Sequence, residues 1–302
     1  SRQRSRCASP GHVGLGALAC LPLLLASPLA HSDPTATTSG LLPTVSVKAP
    51  RSEPARTDKS VTVITRDAMT LAGALTPFTL APILPLERDV LAVAHRLLPW
   101  SVPVRDSLRQ DYHLPDERVH ILPPSLDLPR IQPGVHGPRD RRQILFLGGD
   151  FVRKGGPLLL EAFRGGLSAT ADLHIITHSE VPPEPGVFVH RGVQAGSPAW
   201  HERWSQADVF VFPSTLETFG IVLLEALAFQ VPVVSSRAGA ACDILEDGRN
   251  GILLHRVSPE AIRTGIESVL AAPDTARERA LLGRARVERD FDLAHNTPAS
   301  PN

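Results

Sequence analysis

From residue 143 to residue 291 the chain alternates short apolar runs with amphipathic segments, and this alternation limits its fold more than any other feature. The short runs are QILFLGG, ADLHIITH, VFVHRG, DVFVFP, VPVVSS and GILL. They have the length and composition of buried strands, and the segments that follow most of them have helical periodicity. Short strands alternating with helices predict an α/β fold with a parallel sheet covered on both faces. In such sheets, ligands bind at the carboxyl ends of the strands.

Residues 1–30 have the composition of an export signal. Three arginines among the first six residues precede the apolar run VGLGALACLPLLLASPLA, and small residues then lead into polar sequence. This run approaches the length needed to cross a bilayer, but Pro22 and Pro28 favour a cleaved segment. The alternative is a hydrophobic tail without a targeting role.

Residues 31–82 are rich in Pro, Ser and Thr and predict a segment of low order with two short alternating runs, TVSVKA and SVTVIT. The order of apolar leader, LPTVSVKAPR and SVTVITRDAM resembles the exported start of a TonB-dependent outer-membrane receptor, over about residues 10–75. The resemblance implies a receptor-plug-like segment and an envelope location. Amphipathic strands of about ten residues do not recur after it, so no receptor barrel is expected.

Residues 83–138 predict helices followed by a linker. LERDVLAVAHRLLPWS has helical periodicity, and VPVRDSLRQDYHL continues as a helix. The apolar face of the first segment comprises Val90, Leu91, Val93, Ala94, Leu97 and Leu98. RVHILPPSLDL predicts a short strand ending in a proline turn, and the composition of residues 129–142 is that of a linker.

The segment STLETFGIVLLEALAFQVPVV follows the run DVFVFP and contains two acidic residues. Glu217 lies in the loop at the expected carboxyl end of a strand, and Glu225 lies in the second turn of an apolar helix. The N–H groups of Thr218, Phe219 and Gly220 and the helix dipole predict an anion site suited to a diphosphate. Carboxylates accept hydrogen bonds well from vicinal sugar hydroxyls, which gives Glu225 a role. The alternative is structural, with Glu225 in an ion pair to a neighbouring strand and Glu217 as the helix cap.

A second strand, glycine turn and helix occur in FLGGDFVRKGGPLLLEAF. Arg153 and Lys154 lie at the junction of the loop and the helix, where cations can meet phosphate oxygens. The spacing matches neither GxxxxGK[ST] nor GxGxxG. Taken alone, the two cations could also belong to a solvated surface.

Together the two stretches give the pattern FLGGxxxRKGG … ADVFVFPSxxETFGxxxLEAxAxxxPVV, which resembles the retaining family 4 glycosyltransferases of the GT-B fold over roughly Leu86–Phe291. The resemblance implies a Rossmann-like domain at residues 139–292, followed by a tail at 293–302. It also implies transfer of a sugar from a nucleotide diphosphate sugar with retained anomeric configuration.

Carried onto this sequence, the resemblance assigns the phosphate contacts to two loops. Lys154, helped by Arg153, would bind the donor diphosphate, and Gly149 lies in the same loop, where the family often has arginine. The amides of Thr218–Gly220 would hold phosphate.

The same resemblance assigns the sugar and the nucleoside. Glu217, as the catalytic residue, would contact the hydroxyls of the transferred sugar. Glu225 would accept from the ribose hydroxyls, and Val193 would meet the nucleotide base. Gln230 and Asp243 depart from the family pattern, which usually has glycine and glutamate at these positions.

No cofactor or metal is expected, since Lys154, Arg153 and helix amides would neutralise the diphosphate and no DxD stands at a strand end. His174 and His178, four residues apart in a predicted strand, are not expected to be a ligand pair. The expected partners are a nucleotide sugar and an unidentified carbohydrate or lipid acceptor, with a peripheral membrane contact left open. The formal net charge is zero, so no overall field favours nucleic acid.

The resemblance leaves most of one half of a GT-B enzyme without a counterpart. Acceptors bind in the N-terminal domain of that fold, and only Leu86–Leu128 resembles its end. The sequence is therefore interpreted as a chimera of a leader and a transferase part with impaired turnover. A non-catalytic nucleotide-sugar-binding fragment and an exported envelope receptor are the alternatives. The transferase part implies the cytoplasm, the leader implies export, and the sequence does not resolve the conflict.

Overall fold

A six-stranded parallel sheet forms the centre of the computed structural model, which describes residues 83–134 and 139–296. The strands are β1 Arg142–Leu147, β2 Ala171–Ile176, β3 Val187–His190, β4 Val209–Phe212, β5 Val233–Ser235 and β6 Ile252–Leu253. The helices are α1 Ile83–Val93, α2 Val102–Gln110, α3 Gly156–Arg164, α4 Pro198–Gln206, α5 Ile221–Ala228, α6 Ala241–Ile244, α7 Pro259–Ala271, α8 Pro273–Asp290 and α9 Leu293–Asn296. The predictions for residues 1–82 lie outside the described residues.

The order of the strands across the sheet is β3-β2-β1-β4-β5-β6, and every neighbouring pair is parallel. The chain therefore starts near the middle, builds outward to β3, returns to the middle at β4 and builds outward in the other direction. This is the order of a doubly wound Rossmann-like sheet. The predicted α/β fold is confirmed.

Both faces of the sheet are covered, which explains why its strands read as continuous apolar runs. Leu145 and Phe210 point into a core shared with α4, α5 and α8. Ile144, Phe146 and Val209 point into a second core, shared with α3 and α7. Adjacent residues of one strand thus enter opposite cores, as the alternation of side chains requires.

Two helices of the domain, α4 and α7, begin with a serine cap followed by a proline. Ser197 Oγ accepts a hydrogen bond from Trp200 N at 3.2 Å and so caps α4. Ser258 Oγ accepts from Ala261 N at 3.2 Å at the start of α7, and proline is the first residue of both helices. None of the helices in the described part of the chain is long and apolar enough to span a bilayer.

Residues 88–122, the small lobe, have a separate core. It consists of Leu91, Ala94, Leu97, Val104, Leu108 and Val119. The prediction of one helix over residues 86–101 is wrong, since α1 ends at Val93 and the side chain of Val93 is 83% exposed. Pro99 disfavours helical geometry at the residue before it. Leu97 instead exchanges backbone hydrogen bonds with Arg118 and His120, at 2.7 and 2.9 Å.

The short strand predicted in RVHILPPSLDL is also wrong. Val119 and Leu126 form only isolated bridges, to Leu97 and Asp292 respectively. Two consecutive prolines follow Leu122 and lack the N–H groups that a ladder requires, so regular pairing stops. The bridge at Leu126 nevertheless ties this segment to the C-terminal end of the chain, because Leu126 N donates to Phe291 O at 2.8 Å.

Gly265→Ala tests the packing of α7 on the sheet. An added Cβ would lie 2.8 Å from Val234 Cγ1 and 3.2 Å from Leu254 Cδ2. Helix propensity favours alanine by about 1 kcal/mol, whereas overpacking costs about 1–3 kcal/mol. We expect the free energy of unfolding in urea to fall by about 1 kcal/mol. Thr264→Ala, at the exposed neighbouring position, is the control and should not destabilise the protein; equal effects of both would refute the close packing.

Candidate functional site

The candidate site lies where the winding of the sheet reverses, between β1 and β4. The connection that leaves β1 runs towards β2, whereas the connection that leaves β4 runs towards β5. Two loops that diverge in this way leave a crevice at the carboxyl ends of the strands, and this is where ligands bind in open α/β sheets. The first loop carries Lys154 and the second carries Glu217.

Gly155 allows the two loops to approach each other closely. Its φ is +81°, and a Cβ at this position would lie 2.3 Å from Pro213 O in the loop after β4. Only glycine meets both requirements without strain. The residue before it, Lys154, is thereby held next to the second loop.

Lys154 and Glu217 form an ion pair across the crevice, between Lys154 Nζ and Glu217 Oε2. Their side chains are 16% and 11% exposed, so the pair is shielded from solvent but reachable. Glu217 Oε1 also accepts from Thr218 N at 3.0 Å. The structure thus brings together the two residues on which the sequence prediction depended. It also contradicts two structural alternatives, because Lys154 is not a solvated surface cation and Glu217 does not cap the helix.

The N-terminus of α5 opens beside this pair. Gly220 precedes the helix with a φ of +97°, and no side chain caps it. Among the described residues, no acceptor receives a hydrogen bond from the N–H groups of Phe219, Gly220 or Ile221. Free amides at a helix N-terminus favour an anion, since they add hydrogen bonds to the positive end of the helix dipole. The Thr218 amide is engaged by Glu217, so the structure leaves part of the predicted amide set available.

A third loop, which follows β5, supports Glu217 from behind. Gly239 has a φ of +62°, and a Cβ there would lie 3.0 Å from Glu217 Cγ and 3.0 Å from Glu217 O. Ser236, in the same loop, donates from its hydroxyl to Ser214 O. Sequence reasoning missed both residues. Ser236 ends the run VPVVSS and Gly239 follows three residues later, and this placement at the end of a predicted strand was the available signal.

Glu225 lies in the second turn of α5, partly buried, and no described side chain forms a hydrogen bond or ion pair with its carboxyl. Burial raises the pKa of Glu225 to about 7 from an ordinary value of 4.5, because the charged form loses hydration. The ion pair with a neighbouring strand, weighed as an alternative, is therefore absent from the described residues. An acid held this way offers acceptor oxygens without a protein partner.

The remaining predicted residues lie on the same rim but make other contacts. Arg153, predicted to help Lys154 bind the diphosphate, pairs with Asp150, with 3.5 Å between Nε and Oδ2. Gly149 O accepts from the hydroxyls of Thr177 and Ser179 at 3.2 and 3.3 Å, which fixes the first loop to the loop after β2. Val193 lies in the loop after β3, packed against the core beneath α4 and α5.

The described residues contain no group of three or more His, Cys, Asp or Glu side chains that could hold a metal ion. His174 stacks on His190 with 2.9 Å between Nδ1 and Nε2, and Arg203 Nη1 lies 3.3 Å from the same Nδ1. Burial and these neighbours lower the pKa of His174 to about 4. His174 therefore pairs with His190, not with His178.

Part of the chain matches the model of a known protein family. Residues 189–285 match the family model described as Glycosyl transferases group 1. The matched segment contains Glu217, Glu225 and the turn between them, and it begins within β3. Lys154 and the loop after β1 lie before it.

The curated relatives that the chain is similar to include a synthase and a glycosyltransferase. The chain is 28% identical to an alpha-maltose-1-phosphate synthase of Mycolicibacterium smegmatis over 242 residues, covering 70% of this chain and 62% of the relative. It is 30% identical to a D-inositol 3-phosphate glycosyltransferase of Geodermatophilus obscurus over 236 residues, covering 68% and 52%. The chain thus spans only about half to three fifths of the length of these relatives.

Solved structures show the same fold at low sequence identity. Sucrose-phosphate synthase from Thermosynechococcus elongatus superposes with a TM-score of 0.63 at 20% identity, over 78% of this chain and 64% of that one. Anabaena HepE in complex with UDP and glucose superposes with a TM-score of 0.61 at 15% identity, over 74% and 66%. The GT-B type of Rossmann-like fold, expected from the sequence, is confirmed.

Gly155→Ala should separate the two loops. The substitution adds the cost of a left-handed alanine, about 1–2 kcal/mol, to a clash with backbone that cannot move aside. We expect the free energy of unfolding to fall by about 3 kcal/mol. Gly192→Ala is the matched control, since its φ is +71° but nothing lies within 4 Å of the added Cβ. It should cost only about 1 kcal/mol, and equal losses would contradict the close approach.

Glu225→Gln should change how stability depends on pH. The folded chain retains the Glu225 proton up to about pH 7, whereas the unfolded chain releases it near pH 4.5. Stability should therefore fall as pH rises through this window, by at most about 3 kcal/mol, and the glutamine variant should lack this component. Urea unfolding from pH 4.5 to 7.5 measures it. The exposed Glu161→Gln control should keep the wild-type slope; identical slopes for wild type and Glu225→Gln would disprove the burial effect.

Proposed function

We propose that this chain takes a sugar from a nucleotide diphosphate sugar, bound in the crevice between the loops after β1 and β4, and transfers it to an acceptor. The observation that carries the proposal is the Lys154–Glu217 ion pair beside the uncapped start of α5. It combines a cation, free amides and a carboxylate at the switch point of the sheet. The match of residues 189–285 to group 1 glycosyl transferases supports the same class of reaction.

The diphosphate would lie against Lys154 and the N-terminus of α5. Lys154 Nζ has three donors, and Glu217 uses one of them, so two remain for phosphate oxygens. The N–H groups of Phe219, Gly220 and Ile221 add neutral donors aligned with the helix dipole. These groups would also stabilise the charge that develops on the diphosphate as it leaves, which is how fixed dipoles lower a barrier. In this proposal they provide the neutralisation that a metal ion could otherwise supply.

The sugar and the ribose would be held by the two acids. The Glu217 carboxylate has about four acceptor positions, of which Lys154 Nζ, the Thr218 amide and the Thr218 hydroxyl occupy three. The remaining position can accept from a hydroxyl of the transferred sugar. Glu225, which has no partner within residues 83–134 and 139–296, can accept from a vicinal diol, and that contact would favour its ionised form. Val193, in the loop after β3, would contact the base, as the resemblance implies.

In the transfer itself, the bond between the anomeric carbon and the diphosphate oxygen breaks and a bond to the acceptor oxygen forms. The diphosphate leaves with the bonding electrons, and its departing oxygen accepts the proton that the acceptor hydroxyl gives up. We propose retention of the anomeric configuration, on the basis of the resemblance to retaining enzymes. Glu217, beside the phosphate contacts, would stabilise positive charge on the sugar in the transition state. Since nucleotide sugars are made in the cytosol, we propose that compartment for the reaction.

A binding module is the second candidate, because every contact proposed above is made to the donor and none is made to an acceptor. The module would bind a nucleotide sugar and leave it intact. Incubation with UDP-, GDP- and ADP-sugars, with released nucleotide measured over time, distinguishes the candidates. Binding without release supports the module, whereas release above the uncatalysed rate supports the transferase.

Lys154→Ala and Glu225→Ala should each weaken nucleotide binding at least tenfold, about 1.4 kcal/mol, because each removes a polar contact to the ligand. Calorimetric titration with UDP, GDP and ADP measures the effect. Arg191→Ala is the control, since Arg191 follows β3 on the same rim and pairs with Glu180 at 2.6 Å. The control should bind as wild type does. Unchanged affinity in both test variants would remove the site assignment.

A further inference from the structure

Trp100 is an aromatic residue of the small lobe that packs against the core of the main domain. The small lobe buries its own apolar side chains together, but Trp100 packs outside that cluster, against the core beneath α5. Its ring meets the ring of Phe219 edge to face, with 6.3 Å between centroids and an interplanar angle of 84°. Such pairs stabilise beyond the area they bury. The small lobe therefore contacts the turn that carries the candidate anion site.

Phe219 is the anchor of that turn. Its side chain is 2% exposed and lies between Trp100 and Phe291, whose ring is 6.3 Å away at an angle of 66°. Its carbonyl accepts from Ala240 N at 3.2 Å. Because Phe219 stands directly between Thr218 and Gly220, the position of its ring fixes the direction of the amides on either side.

Asp243 makes a second contact between the small lobe and the domain. It accepts from Val102 N at 3.3 Å, at the start of α2, where Ser101 provides no side-chain cap. A carboxylate from α6 thus takes the position of a helix cap for α2. Arg286 lies 3.6 Å from Asp243 Oδ1 and places its guanidinium 5.4 Å from the ring centroid of Phe291.

These contacts form a closed ring. Starting at Trp100, it passes through Phe219, Phe291, Arg286 and Asp243, and returns to Val102, two residues from its start. We propose that Trp100 is a positioning residue for the donor site, which holds the turn at residues 217–220 in its binding geometry through Phe219. This inference rests on the proposed function. It adds that docking of the small lobe tunes affinity for the nucleotide diphosphate, with Trp100 acting through Phe219.

Trp100→Ala should weaken binding of the tightest of UDP, GDP and ADP about fivefold, whereas Trp100→Phe should restore it to within twofold of wild type. Val104→Ala is the matched control. Val104 is 5% exposed in the core of the small lobe, so its truncation destabilises the lobe without breaking the ring. It should bind within twofold of wild type. Loss of affinity in Val104→Ala equal to that in Trp100→Ala would reduce Trp100 to a structural role and overturn the proposal.

Asp243→Ala breaks the ring on its other side and provides an independent variant if Trp100→Ala does not fold. It should also weaken nucleotide binding. In the double variant, Trp100→Ala with Asp243→Ala, the fold-loss of affinity should be smaller than the product of the two single fold-losses, because both residues act through one contact ring. A fold-loss of affinity equal to that product would show that the two contacts act separately. That result would contradict the ring.

Amide hydrogen exchange without ligand separates this inference from the proposed function. Trp100→Ala should accelerate exchange in a peptide spanning residues 214–222, and Val104→Ala should not. If wild type binds none of the three nucleotides, the proposed function fails, and the exchange result still decides whether Trp100 positions the turn. If wild type binds and Trp100→Ala matches it in both affinity and exchange, the inference alone is wrong.

Discussion

The Lys154–Glu217 ion pair is the interaction on which the candidate site depends, since it joins two loops that the topology sends in opposite directions. Neither side chain is fully buried, so the desolvation cost is smaller than for a pair in a dry core. Gly155 lets the first loop rest on Pro213, which brings Lys154 next to the loop that carries Glu217. A geometric constraint on the backbone thus comes first, and the electrostatic contact follows from it.

Three loops meet at this edge of the sheet, and each has a different task. The loop after β1 supplies the cation, the loop after β4 supplies the acid and the helix amides, and the loop after β5 supports the acid through Gly239. All three leave the carboxyl ends of neighbouring strands, which explains their convergence. A site made in this way depends on a rigid sheet beneath it, and the buried side chains on both faces provide that rigidity.

The sequence was sufficient for most of the regular structure and for the central part of the site. Buried strands and amphipathic helices between residues 143 and 291 have periodicities that local patterns express, so their order and class could be predicted. The small lobe was predicted poorly, because the backbone of Leu97 is satisfied by residues more than twenty positions away. No local pattern reports such a partner. Only Pro99 gave a local reason to end the helix early.

Within the candidate site, the residues that lie close together were easier to predict than the contacts that each of them makes. Lys154, Glu217 and Glu225 stand out by residue type and by their placement after strands, and resemblance to a known pattern gave them roles. The pairing of Arg153 with Asp150, three residues earlier, could not be distinguished from a phosphate contact by sequence. The strand order, the closeness of Gly155 to Pro213 and the contact of Trp100 with Phe219 are tertiary facts.

Glu225 has a consequence for the protein in its empty state. A partly buried carboxyl with no partner among the described residues lowers the stability of the fold, and an apolar residue of similar size would remove that cost. Evolution commonly retains such residues where recognition needs them. Hydroxyl donors from a bound molecule would supply the missing partners, so the occupied protein should resist heat better than the empty one. Ligand binding should therefore be measurable as a rise in the melting temperature.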